Sequence, residues 1–214
     1  MNYYIHIFII TSLIALFNYE NIKNVILKKH KNNSYRKVYL SSEHNIFIKG
    51  RITKEKMNET IHKIGNNKNI NLIINSEGGD LFAGYDLIIK MIEKKPLSTF
   101  KCYALNAKST AFDIFQYCDK RFVIPNSILF QHNASIEFKG SFEEFENFYY
   151  EKFELYRNTV SKLNKIISNK IKLDYGEYQK KIMKNWSIKG GKKILENNLA
   201  DEIVIISDLQ WLGI

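Results

Sequence analysis

The chain has 214 residues, 45% of them hydrophobic and 25% charged, which suits one ordinary globular domain and excludes wholesale disorder. Its two cysteines, Cys102 and Cys118, exclude a disulfide framework, and without a CxxC or CxxxC pair they offer no structural zinc site. The formal charge of +10 comes from 28 Lys against four scattered Arg, in a chain also rich in Asn and Ile, and reads as a solvated Lys-rich surface rather than a nucleic-acid interface.

The first element is the apolar run Tyr3–Phe17. Fifteen residues are short for a membrane span but suit the apolar stretch of a signal peptide. The positive charges come after it, at Lys23, Lys28, Lys29, Lys31, Arg36 and Lys37. Residues 1–19 therefore read as a hydrophobic signal or anchor segment, with a buried core helix as the alternative. Such a segment points to organellar targeting, secretion or membrane anchoring, with membrane association through residues 3–17. Residues 20–37 read as a basic linker or transit segment, 38–206 as the folded domain and 207–214 as a C-terminal tail.

The body alternates strand and helix signals. Asn45–Lys49 reads as a strand, and Thr53–Gly65 as a helix capped by Thr53, with Met57, Ile61 and Ile64 on one face. Ile70–Ile74 is a nearly all-apolar strand as in a buried parallel sheet, ending in Asn75-Ser76-Glu77-Gly78-Gly79-Asp80. A helix follows, with Ala83, Leu87, Ile88, Met91 and Ile92 on its inner face, and stops before Pro96. Ser98–Leu105 is a strand, Ser109–Tyr117 a helix, and Arg121–Ile124 and Ile128–Gln131 two strands around an Asn126-Ser127 turn. Ser141-x-x-Glu144 is a capping box opening a long, aromatic-rich helix over Ser141–Ser168. Helices over Tyr175–Lys184 and Gly191–Asn197 and a strand over Leu199–Ile206 complete an α/β fold with a mainly parallel sheet.

Three positions carry candidate chemistry. The paired glycines after the buried strand free backbone N–H groups to bind phosphate or stabilise an oxyanion, or they simply make a tight turn. The segment matches neither a Walker A loop nor G-x-G-x-x-G. Ser109, at a strand-to-helix junction, is either a helix cap or an exposed nucleophile. His132, just past an apolar strand, is either an ordinary surface or core histidine or a general base. Serine, histidine and a glycine corner together make a candidate acyl-transfer site that needs no cofactor and no metal.

In this order the pieces resemble the Clp protease proteolytic subunit and its phage, viral and organellar relatives, over about Ile46–Val204. Asn75-Ser76-Glu77-Gly78-Gly79 with Ala83-Gly84 is similar to the family's Asn-Ser-Pro-Gly-Gly segment, with Glu77 in place of the proline. Ala107-Lys108-Ser109-Thr110 resembles its nucleophile segment, and Arg121-Phe122-Val123-Ile124-Pro125-Asn126-Ser127 the stretch that leads to its histidine, which falls on His132. Leu199-Ala200-Asp201 resembles its closing Leu-Val-Asp strand. The resemblance implies Ser109 as nucleophile, His132 as general base, and the amides of Gly79 and Thr110 as oxyanion hole. It also implies a ClpP/crotonase-like fold, peptide or unfolded-protein substrates, and a ring of six or seven subunits that can stack on a second ring. In such rings the long helix after the histidine joins subunits, and an AAA+ ATPase is the expected partner.

Three departures bear on activity. The family's third triad residue, an Asp, aligns with Trp186; no carboxylate stands within one residue of it, and Asn185 is the nearest substitute. The Ser109-to-His132 spacing is two residues shorter than in the family, and the segment before Gly78 is short. A weak or inactive ring subunit that scaffolds active paralogues is therefore the competing expectation, with an acyl-CoA enzyme on the related fold and a Ser-Lys peptidase using Lys108 or Lys120 behind it.

Overall fold

A computed structural model describes residues 35–40, 45–135 and 139–207, so the expected hydrophobic segment 1–19, most of the linker and the tail beyond 207 lie outside the described residues. The elements in chain order are β1 (Arg36–Tyr39), β2 (Asn45–Ile52), α1 (Lys54–Ile64), β3 (Asn69–Gly79), α2 (Leu81–Lys94), β4 (Thr99–Lys108), α3 (Thr110–Tyr117) and β5 (Lys120–Gln131). They continue with α4 (Phe142–Phe148), a π-helical stretch (Tyr149–Phe153), α5 (Glu154–Lys170), α6 (Tyr175–Met183), β6 (Trp186–Lys189), α7 (Gly191–Glu196) and β7 (Glu202–Ser207). From β2 onward every element lies in the compact unit Lys37–Ile214. Among the described residues no helix is long and apolar enough to cross a membrane.

The sheet runs β1-β7-β5-β4-β3-β2, with β6 pairing β5 beside that path. β2, β3, β4, β5 and β7 pair in parallel, and β6 pairs β5 antiparallel. This is the mainly parallel α/β architecture with flanking helices expected from the alternating signals. The apolar runs explain the middle: Ile70, Leu72, Ile73 and Ile74 of β3 are all at most 1% exposed, as a strand covered on both faces requires. On one side Val38, Leu40, Ile73, Tyr103, Phe122, Val204 and their neighbours form a single cluster in which the Tyr103 and Phe122 rings stack at 4.8 Å.

Local chemistry starts and stops the helices as anticipated. Thr53 caps α1 through the amide of Lys56, Asp80 caps α2 through that of Ala83, and the capping box at Ser141 and Glu144 closes both ways. Ala83, Leu87, Ile88 and Met91 are buried, but Ile92 lies on the exposed side of its stripe. The long helix differs from its expectation in two ways. It is one rod with a π-helical stretch at Tyr149–Phe153, and only its second half is anchored, by Tyr156, Leu163 and Ile167; no residue of α4 is buried.

β5 is one continuous strand, not two strands around a turn. Ser127 makes this possible. Its hydroxyl accepts from the amide of Ile124 at 2.8 Å and donates to the carbonyl of Ala104 at 2.6 Å, absorbing the irregularity without ending the strand. Exposed Pro125 and Asn126 sit at that kink. Before it β5 pairs β7; after it, β6. The four residues of β6 were not foreseen, nor was the disulfide that joins Cys102 on β4 to Cys118 at the end of α3. The short helix turns back beside β4, and Asp119 closes the corner by exchanging two hydrogen bonds with Phe100.

Arg121, 5% exposed, binds Asp201 through Nη2 at 2.8 Å and offers its amide to the same carboxylate at 2.7 Å, tying β5 to the start of β7. Burial works to raise the Asp201 carboxyl, but these Arg121 contacts outweigh it and hold the group below the usual carboxylate range. A depressed acid contributes above its unfolded value and stops contributing as pH falls through its folded value. Asp201→Ala leaves the Arg121 charge buried without a carboxylate, held only by Gln116, and is expected to cost about 3 kcal/mol, at the low end because Asp201 is partly exposed. Chemical denaturation at neutral pH and again at acid pH checks this: the gap between variant and parent should close on acidification.

Candidate active site

Three neighbouring parallel strands end side by side, and each delivers one part of the site. β3 ends in Gly78-Gly79, β4 runs into Ser109, and β5 runs into His132. The registers Ser76↔Ala107 and Lys108↔Phe130 align the three ends, and the Ser109 amide extends the ladder to the Phe130 carbonyl at 2.8 Å.

Ser109 has φ 52° and ψ −125°, a conformation that side-chain-bearing residues rarely adopt. It occupies the N-cap position of α3, yet its hydroxyl makes no capping bond. Instead Oγ lies 2.9 Å from His132 Nε2. The sharp strand-to-helix turn thus lifts the hydroxyl out of the helix end and aims it at the imidazole. His132 is half-buried, its ring 5.5 Å from that of Phe130, and its Nδ1 has no protein partner among the described residues.

The glycine corner packs directly on this turn. A Cβ on Gly78, which has φ 89°, would come 2.6 Å from the Lys108 carbonyl and 2.8 Å from Ser109 Cβ. One on Gly79 would meet the Ile52 carbonyl at 2.3 Å. The Gly78 amide is taken by Ser76 Oγ at 3.1 Å. Gly79 and Thr110 meet through a 3.1 Å bond from Thr110 Oγ1 to the Gly79 carbonyl. The Thr110 amide is the first of α3, one with no acceptor inside its own helix.

Neither lysine suits a Ser-Lys pair. Lys108 Nζ is bound to Glu77 Oε2 at 2.7 Å, and Glu77 Oε1 also accepts from Asn106 at 2.5 Å. The Lys108 hydrogen bond, with help from Asn106, holds the Glu77 carboxyl low despite some opposing desolvation. Lys120 lies opposite Lys101 at the far end of β5 from Ser109.

Asn185 is not joined to the pair. It is exposed, in the left-handed conformation (φ 57°) that asparagine tolerates, and its amide donates to the Ile182 carbonyl to close α6. No hydrogen bond connects it to His132 among the described residues. Trp186 stands opposite Gln131, its ring against Phe112 and Tyr178 with the Lys181 ammonium 5.0 Å from its centroid.

The site holds two side chains that sequence reasoning missed. Asp113, one helical turn after Ser109, is 5% exposed, and Gln131 is 4% exposed. Gln131 Nε2 donates to Asp113 Oδ1 at 2.5 Å, and its Oε1 accepts from the amide of His132 at 3.1 Å. An acid one helical turn after a candidate nucleophile was the available signal. Burial pushes the Asp113 carboxyl up to about 8 against the opposing Gln131 bond. Among the described residues the buried hydroxyls of Tyr117 and Tyr178 make no well-formed hydrogen bond, and burial, then the neighbouring Asp113, raises both. Ser109, Thr110, Gly79, His132 and Asp113 share one cleft of about 790 Å³, with Phe82, Tyr156, Val160 and Leu163 among its apolar lining.

The Clp protease family model matches residues 28–206. No curated protein matches the chain.

Asp113 makes stability depend on pH in an unusual direction. Its unfolded carboxyl loses the proton above about 4, while the folded one keeps it to about 8. Between those values the folded state holds the extra proton, so raising the pH favours unfolding. Asp113→Asn removes the effect. Measured by denaturant midpoint from pH 4 to 8, the parent should lose ground to the variant by at most roughly 1.4 kcal/mol per pH unit.

Proposed function

Because this chain belongs to the Clp protease family, we propose that it is a serine peptidase that cleaves peptide bonds through an acyl-enzyme inside an oligomeric assembly. The observation that carries this is the 2.9 Å contact between Ser109 Oγ and His132 Nε2, made by a serine whose backbone is held in a rare conformation. Ser109 Oγ attacks the scissile carbonyl while His132 Nε2 takes its proton. The resulting oxyanion is met by the amides of Gly79 and Thr110, donors fixed before the reaction begins. The imidazolium returns its proton to the leaving amine, and water, activated by the same nitrogen, releases the acyl group.

The missing carboxylate sets the expected pace. In a Ser-His-Asp triad the acid fixes the imidazole tautomer and supports the imidazolium, and replacing it with Asn lowers turnover by about 10⁴. His132 Nδ1 has no such partner among the described residues, and that observation favours the second reading, a weak or silent ring subunit beside active paralogues. Fluorophosphonate labelling separates the two. The parent chain should label slowly, and Ser109→Ala should abolish labelling and peptide hydrolysis with the native mass unchanged. Undiminished hydrolysis by the variant would assign the nucleophile elsewhere.

The assembly is proposed from the α4–α5 rod. Phe142 is 75% exposed, Tyr150 76% and Leu155 64%, a run of large apolar side chains that water does not favour and a second subunit would cover. Family resemblance suggests the ring and its ATPase partner. Changing Phe142 and Tyr150 together to Glu should move the native mass to smaller species, read by light scattering, while Ser109 remains folded into its site.

A further inference from the structure

Asp113 and Gln131 have no part in the chemistry set out above, yet they are buried polar side chains tied to its histidine. β5 ends at Gln131, so the His132 amide lies beyond the strand. Its partner is the Gln131 side chain, which bridges it to Asp113. We propose that Asp113 is a positioning residue: its carboxyl oxygen selects the orientation of the Gln131 amide that holds the backbone of His132. The proposal rests on the peptidase reading of Ser109 and His132.

The argument is one of donors and acceptors. A glutamine amide has two donors on one side and an acceptor on the other. Only one orientation serves here. With Nε2 toward Asp113 Oδ1, Oε1 meets the His132 N–H. Flipped, the NH₂ would face that N–H, donor against donor, and Oε1 would face the carboxyl oxygen. An acceptor at position 113 therefore excludes the flip. Both side chains are nearly fully buried, at the edge of the cleft, which leaves each few competing partners. The bridge works with Asp113 ionised, or neutral with its proton on Oδ2, since Oδ1 then accepts in both forms.

It also occupies the place where help is needed. His132 has no partner on Nδ1 among the described residues, and Asn185 makes no hydrogen bond to it. The ring is aimed by its backbone, by Phe130 and by Ser109 itself. A backbone left free to turn at the end of β5 would carry Nε2 away from Oγ, and a misplacement of about 1 Å can lower a rate about 10²-fold.

The test compares the full chain with Asp113→Asn, Asp113→Leu and Gln131→Leu. Two readouts are taken: kcat, KM and fluorophosphonate labelling rate, and the His132 imidazole tautomer by nitrogen NMR, assigned with His132→Gln. Asp113→Asn keeps the acceptor and should leave rate and tautomer as in the parent. The leucine variants should lose about 10²-fold in kcat with KM unchanged, and their tautomer should become mixed. Asp113→Leu with parental rate and tautomer overturns the proposal, as does a folded Asp113→Asn that fails as Asp113→Leu does. Should Asp113→Leu not fold, Gln131→Leu decides by the same criteria. An inert parent whose tautomer changes in the leucine variants but not in Asp113→Asn overturns the peptidase reading and leaves the positioning role standing.

Discussion

The hydrogen bond from the Ser109 amide to the Phe130 carbonyl extends the β4–β5 ladder past the end of β4, and the site is organised around it. It fixes where β4 stops relative to β5, and so how far Ser109 stands from a histidine two residues beyond Phe130. It also holds the serine backbone at positive φ, where the hydroxyl turns from the helix to the imidazole. The glycines of β3 follow from the same constraint. With the turn pressed against them, Gly78 has no room for a Cβ. Strain of this sort costs of order 1–3 kcal/mol and persists only where surrounding contacts over-determine the conformation.

Those contacts lie at the far end of α3. Gln116, fully buried, accepts from Arg121 at 2.5 Å and donates to the Leu199 carbonyl at 3.0 Å. Arg121 in turn holds Asp201, and Lys170 from α5 donates to the Cys118 carbonyl. Burial, followed by the nearby Arg121 charge, lowers the Lys170 ammonium to about 8. The helix that follows Ser109 is therefore gripped where it begins by the strand ladder and where it ends by a polar network reaching β5, β7 and α5. The closing Asp201 has a structural task here, quite apart from the chemistry beside Ser109.

Much of this was legible in the residues. A nearly all-apolar run and alternating helix signals gave away the parallel strands, and the order of Gly78-Gly79, Ser109, His132 and Asp201 pointed to the site without any one of them sufficing. What was hidden has physical reasons. β6 has one buried residue in four, too little to register as a strand, and its existence depends on the second half of β5 needing a neighbour. The Asn126-Ser127 pair looks like a turn because nothing in the sequence reveals that a serine hydroxyl will stand in for backbone partners. Asp113 reads as the polar side of a short helix until burial by other elements puts it inside. Alignment pointed to Asn185 and Trp186, whereas a buried acid reaches His132's backbone through Gln131, a route no linear spacing displays.

The disulfide between Cys102 and Cys118 spans sixteen residues, with Ser109 near the middle of the loop it closes. Closing a loop of that size removes unfolded-state freedom worth about 3 kcal/mol. Both sulfurs are fully buried, so exchange with an external thiol first requires this corner of the domain to open. In an oxidising compartment the bond persists and the segment around Ser109 stays cross-linked even in the unfolded chain. In a glutathione-rich one, each opening is an opportunity for reduction, after which the same fold must hold the strained serine by packing and hydrogen bonds alone. The robustness of the turn at Ser109 therefore varies with the redox character of its surroundings.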